Sequence, residues 1–308
     1  MKRMLTAALA TALLLAGGCG DSGDDTPPAS TTPSAGASYP VTVSGLTLGA
    51  RPEKIVSLSP TATEMLFAIG AGPQVTAVDD QSTYPADAPK SNLSAFKPNA
   101  EAIAAKNPDL VVLSDDIDKV VAQLDKLKIP VFKTPATASL DQTYEQIKQL
   151  GTLTGHGAEA TAVTERMASD IEKIVAGVPK RSKPLSYYYE LDPTFYTVTS
   201  RTFIGSVFSL FGLTNIADPA DADGAKGGYP QLSQEAIVKS SPDTIFLADS
   251  KCCQQSAATV AKRTGWSSVT AVKAGQVFAL DDDIASRWGP RTVDLARSIA
   301  DAVAKVPA

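Results

Sequence analysis

The stretch EAIAAKNPDLVVLSD (Glu101–Asp115) returns 134 residues later as EAIVKSSPDTIFLAD (Glu235–Asp249). Glu, Ala, Ile, Pro, Asp, Leu and a closing Asp keep their places, and Val111 stands opposite Ile245. Each copy reads as one unit. A capping residue (Asn99 or Ser233) precedes a short helix opened by a glutamate, a proline ends it (Pro108 or Pro242), and an apolar strand follows. Repetition at a constant offset implies that the chain is built from two similar halves.

The flanking segments fit that plan. In the first half IVSL (Ile55–Leu58) is a buried strand. Ser59 or Thr61 then caps a helix running through Leu66 and Ile69, with Thr61 and Glu64 spaced as a capping box and Gly70 as the left-handed stop. QVTAVDD, LVVL and KIPVFKTP supply further strands. In the second half LSYYYE, TIFL and GQVFAL are strands, and Thr202–Phe211 is a helix stopped by Gly212. A last helix after Gly289–Pro290 carries an apolar stripe from Val293 to Val303. Between the halves, Leu140 to about Ala176 is helical, broken at TGHG (154–157). Its second piece, about 20 residues, spans roughly 30 Å. Strands alternating with helices call for parallel sheets. The expected class is therefore α/β: two Rossmann-like lobes with parallel sheets joined by a long rigid α-helix, with a ligand cleft between the lobes. A stiff connector of this kind implies a closure of only a few degrees around a ligand.

The beginning of the chain reads differently. Lys2 and Arg3 precede an apolar run from Met4 to Ala16 that is too short for a bilayer span of roughly 20 residues, the pattern of a secretory signal. LAGGC, ending at Cys19, resembles a bacterial lipoprotein processing box, although Ala16 and Gly17 are less usual there. The resemblance implies that Cys19 is lipidated and holds the protein to the cytoplasmic membrane, facing outward. The polar, Pro/Ser/Thr/Gly-rich stretch that follows reads as a tether. The expected organisation is thus a signal peptide at 1–18, a lipidated N-terminus and tether at 19–49, a first lobe at 50–138, connecting helices at 139–178 and a second lobe at 179–308.

With 308 residues, 44% hydrophobic and a net charge of -5, the composition is that of a globular protein. The negative charge argues against nucleic acid as a partner. There is no HExxH, GxSxG or Walker loop, and the single histidine, His156, falls at the helix break. No enzyme chemistry, cofactor or metal site is therefore expected.

Five segments in order, RPEKIVSLSPTATEMLFAIGAG, STYP, KPNAEAIAAKNPDLVV, YPQLSQEAIVKSSPDTI and DDDIASRWGPR, resemble the helical-backbone solute-binding proteins of ABC importers. That class carries ferric siderophores, haem or cobalamin, and the likeness spans Arg51 to Val306. It implies a permease dimer with its ATPase as partner, and it matches Glu101 and Glu235 to the carboxylates that dock on that permease. A two-lobed carrier on a two-fold partner needs one equivalent contact per lobe, and a carboxylate suits a guanidinium pocket. A glutamate in a helix's first turn is also favoured by the dipole alone. A surface scavenger or sensor without a permease is the competing reading of another class.

For the ligand, the loops after the strands offer Tyr84, Phe96, Tyr189, Tyr229, Asp283, Arg287 and Trp288. Rigid aromatic rings suit a bulky chelate and a guanidinium suits an anionic one. Arg287, Arg291, Lys97 and Arg201 place a ferric siderophore ahead of cobalamin and haem as the expected cargo. Cys252 and Cys253 are adjacent, and an oxidising compartment favours a strained vicinal disulfide; free thiols are the alternative.

Overall fold

The computed structural model describes residues 38–307. Cys19 and the expected signal peptide therefore lie outside the described residues. The described chain opens with a hairpin, β1 (Val41–Val43) against β2 (Leu46–Leu48), antiparallel. Its two-residue turn places Ser44 and Gly45 at φ 48° and 84°, the left-handed pair whose twist matches paired strands. Val43 and Leu48 are buried in the first lobe's core. Residues 41–48, expected in the tether, thus belong to the folded body. Their V-x-V…L-x-L alternation is short and follows a polar stretch, which hid it.

The first sheet holds β3 (Ile55–Leu58), β4 (Val75–Asp79), β5 (Lys90–Leu93), β6 (Leu110–Leu113) and β7 (Val131–Lys133), all parallel, in the order β5-β4-β3-β6-β7. Helices α1 (Pro60–Ala68), α2 (Ala100–Ala104) and α3 (Val120–Lys126) connect the strands. Ile55, Leu110 and Val112 face one core and Val56, Val111 and Leu113 another. With both faces covered, β6 is apolar throughout and β3 is apolar but for the buried Ser57. Ser59 Oγ caps α1 by accepting from Ala62 N, and Asn99 Oδ1 caps α2 by accepting from Ala102 N. The expected Thr61–Glu64 capping box does not form, because Glu64 is drawn into the interior and bonds elsewhere.

Two helices follow, α4 (Leu140–Thr154) and α5 (Gly157–Ala176). Gly155 at φ 78° makes the left-handed stop between them. The apolar stripe of α5 changes owner along its length. Val163 and Met167 pack in the first lobe's core, while Ile171, Ile174 and Val175 pack with the second. One continuous helix is therefore anchored in both lobes.

The second sheet holds β8 (Ser186–Glu190), β9 (Thr214–Asn215), β10 (Thr244–Leu247) and β11 (Val277–Ala279), parallel, in the order β11-β10-β8-β9. Around it lie α6 (Phe203–Ser209), α7 (Gln234–Ser240), α8 (Ala257–Ala261), α9 (Thr270–Lys273), α10 (Asp282–Ala285) and α11 (Thr292–Lys305). Tyr187 and Tyr189 point to one face with Phe246, and Tyr188 points to the other with Ile245 and Leu247. All three tyrosines are core residues.

Candidate functional site

A cavity of about 360 Å³ opens at the carboxyl ends of β3 and β6. Leu58, Ser59, Leu113 and Ser114 form its floor, and Phe96 and Ile117 stand at its side. The opposite wall is one short second-lobe segment: Asp283, Ser286, Arg287 and Trp288. The floor is polar only where the strands end. Ser114 Oγ donates to Ser59 Oγ at 2.7 Å, and Asp115, the closing residue of the first repeat, is exposed at the rim.

The wall segment is fastened across the lobes through Glu64 on α1, which is buried at 2% exposure. Arg287 Nη1 donates to Glu64 Oε1 at 2.8 Å, and Arg291 Nε and Nη2 donate to its two oxygens at 2.9 and 2.6 Å. Arg287 Nη2 also donates to Asp283 Oδ1 at 2.9 Å and to the Gln81 carbonyl at 3.2 Å. Trp288 Nε1 donates to Gln146 Oε1 on α4 at 3.2 Å, and its ring packs against both large cores. Lys251 is held beside this wall by Asp281 and Asp283 at 2.8 and 3.2 Å. Of the guanidiniums that the sequence offered to an anionic cargo, Arg287 and Arg291 are thus committed to carboxylates of the protein itself, and Arg201 donates to the Ala222 carbonyl away from the cavity. The sequence offered Glu64 only as a capping-box partner of Thr61, although a lone charge before the apolar run MLFAIG was the available sign of a buried ion pair.

Of the expected ligand residues, Phe96, Asp283, Arg287 and Trp288 line the cavity. Tyr84 lies beside it in an adjoining groove with Glu64 and Arg291, its ring 4.4 Å beneath the Arg291 guanidinium. Tyr229 is 44% exposed on the second lobe and is not part of the cavity wall. Tyr189 does not line the cavity: it is fully buried, its hydroxyl donates to the Ala285 carbonyl at 2.7 Å, and its ring meets Phe208 edge-on. The alternation of β8 turns it to the interior of the sandwich.

The two closing aspartates of the repeat have opposite surroundings. Asp115 is solvated, whereas Asp249 is fully buried and neither of its oxygens has a hydrogen-bond partner. Beside it, Glu190 is bound by Arg263 through two contacts of 2.6 Å, and Arg263 stacks 4.7 Å over Trp266. Burial, then the neighbouring Glu190 carboxylate, push Asp249 up to about 7.

Cys252 and Cys253 are free thiols, which replaces the expected disulfide. Their loop is pinned in place: Cys252 N donates to Asp282 Oδ2 at 2.9 Å and Cys253 N to the Asp249 carbonyl at 3.2 Å. Desolvation, a hydrogen bond with the Cys253 thiol and nearby carboxylates push the Cys252 thiol up to about 12. Among the described residues no cluster of three or more His, Cys, Asp or Glu is arranged to hold a metal.

Comparison with known proteins agrees with this architecture. The family model described as "Periplasmic binding protein" matches residues 55–284. The chain is 30% identical to an uncharacterized ABC transporter substrate-binding lipoprotein, YvrC, of Bacillus subtilis, over 96% of this chain and 95% of that one. It is 32% identical to a cobalamin-binding protein of Halobacterium salinarum, over 86% of this chain and 74% of that one. Among solved structures, a possible iron-binding periplasmic solute-binding protein of Staphylococcus epidermidis aligns with TM-score 0.72 and 26% identity, over 82% of this chain and 99% of that one. The vitamin B12-binding protein BtuF of Vibrio cholerae aligns with TM-score 0.66 and 26% identity, over 82% and 96%. The chain therefore belongs to the periplasmic binding protein family, as a solute-binding protein of the ABC-transporter type whose two α/β lobes share a helical backbone.

Proposed function

We propose that the protein captures a corrinoid of the cobalamin type in the inter-lobe cavity and hands it to an ABC permease. The observation that carries this reading is the charge state of the wall. Arg287 is neutralised by Glu64 and Asp283, Asp283 is itself paired with Arg287 and Lys251, and Asp115 adds a carboxylate without an ion-pair partner among the described residues at the rim. Such a wall repels a polyanionic ferric chelate or the carboxylates of haem. It suits a macrocycle whose rim carries neutral amides, which donate to carboxylates and accept from hydroxyls such as Ser59, Ser114 and Ser286. Phe96 and Trp288 add flat apolar surface for such a ring. The 32% likeness to a protein named cobalamin-binding supports the same class, in place of the ferric siderophore that the arginines had put first. The single histidine is no candidate haem ligand: its Nε2 lies 2.8 Å from Arg51 and 3.0 Å from Gln74 at the α4–α5 junction.

Delivery rests on the paired glutamates. Glu101 and Glu235 are exposed, and each stands in the first turn of a capped helix at the equivalent place in its lobe. We assign them to the permease contacts, and Cys19 to the lipid anchor that keeps the carrier at the outer side of the membrane. Titration of Trp fluorescence with cyanocobalamin, haemin and a ferric tricatecholate tests the cargo. Cyanocobalamin is expected to quench and saturate at micromolar concentration or below. Saturation by the tricatecholate alone would remove the corrinoid reading.

A further inference from the structure

We propose that Glu64 is the residue that sets the charge selectivity of the cavity, by withholding two arginines from the ligand. The proposal deepens the corrinoid reading and rests on it only for the direction of the natural preference.

Glu64 has no reason of local structure to be where it is. It is the one charged residue of α1, caps nothing, and its side chain is 1% exposed. Three guanidinium nitrogens converge on its two oxygens at 2.6 to 2.9 Å. Both arginines come from the second lobe, 223 and 227 residues away. Their side chains are themselves only 10% and 17% exposed. Solvent screens such a cluster weakly, so its balance is felt in the adjoining cavity. As built, Arg287, Arg291 and Lys251 face Glu64, Asp283 and Asp281, three charges against three. Without the Glu64 carboxylate, Arg291 would lose its carboxylate partner and Arg287 would share Asp283 with Lys251. The wall would then become a site for an anion, since paired guanidiniums bind carboxylates in a bidentate fork. Glu64 is a positioning residue in this account, because it acts through Arg287 and Arg291 and does not line the cavity itself.

The test compares the affinities of neutral cyanocobalamin and anionic haemin in the wild type, Glu64→Gln, Arg291→Gln and the double variant carrying both changes, with circular dichroism to verify folding. Glu64→Gln is expected to shift the ratio of affinities toward haemin by about tenfold or more, equivalent to about 1.4 kcal/mol. High salt should shrink that shift. The double variant, which lowers the local charge again, should return the ratio toward the wild-type value. Arg291→Gln alone keeps Glu64 paired with Arg287 and should move the ratio away from haemin. Equal loss of both ligands in a folded Glu64→Gln protein would make Glu64 merely structural and overturn the proposal. Should that variant not fold, an unchanged ratio in Arg291→Gln would overturn it instead. A wild type that prefers haemin would defeat the corrinoid reading, yet the sign of these shifts would still decide the role of Glu64.

Discussion

Single residues show how much environment adds to identity. Asp115 and Asp249 occupy the same place in the repeat, yet one is solvated at the cavity rim and the other is buried beside Glu190. Because Asp249 rises from 3.8 to about 7, the folded protein holds a proton that the unfolded chain has released. The sign follows from linkage: this contribution to stability is complete below about pH 4, is lost as pH rises to about 7, and is constant above. Asp249→Asn, whose amide can donate to Glu190 without titrating, should flatten that part of the profile of unfolding temperature against pH; an unchanged profile would show that Asp249 does not hold the proton. Tyr189→Phe removes only the bond to the Ala285 carbonyl and should cost about 1 kcal/mol in a denaturant titration, with ligand affinity unaltered. The sequence could not separate these roles. YYYE announces a strand, but the burial of all three tyrosines depends on cover over both faces of the sheet, which a lone strand does not reveal. Glu64 was hidden for a similar reason, since its partners lie in the other lobe.

Elements were more legible than side-chain roles. Strands such as LVVL and TIFL are apolar on both faces because helices cover both, and the caps Asn99 and Ser233 sit where the repeat placed them. The elements that escaped have weak signals: β9 is two residues long, and α3, α8, α9 and α10 are helices of seven residues or fewer. β5, KSNL, is an edge strand with only Leu93 buried, and the β1–β2 hairpin is three residues a side. The division of α5 between two cores has a thermodynamic consequence. Ile171→Ala and Met167→Ala should each cost about 2–5 kcal/mol, although one side chain packs with the second lobe and the other with the first. Unfolding should be a single event for the same reason. Circular dichroism, which reports both lobes, and fluorescence, which includes Trp266 of the second lobe, should give coincident denaturant transitions; two separated midpoints would show lobes that melt independently.

At the scale of the whole molecule, two lobes are held both by α5 and by the Glu64–Arg287–Arg291 cluster, with Trp288 packed between their cores. That double attachment leaves little room for hinge motion, so small-angle scattering should show almost the same radius of gyration with and without ligand. The repeat makes the molecule a pseudo-symmetric carrier, and the paired glutamates should matter only for delivery. A Glu101→Ala, Glu235→Ala double variant is expected to keep its ligand affinity while uptake in cells falls by about tenfold or more, on the scale of lost charge-pair contacts. Full uptake by that variant would support a carrier that works without a permease. The central claim is that the neutralised cavity prefers a neutral corrinoid. Isothermal titration of the mature protein with cyanocobalamin and with haemin in the same buffer tests it most directly: the account predicts one saturable cyanocobalamin site tighter than any haemin site, and a tight haemin site with no heat from cyanocobalamin would contradict it.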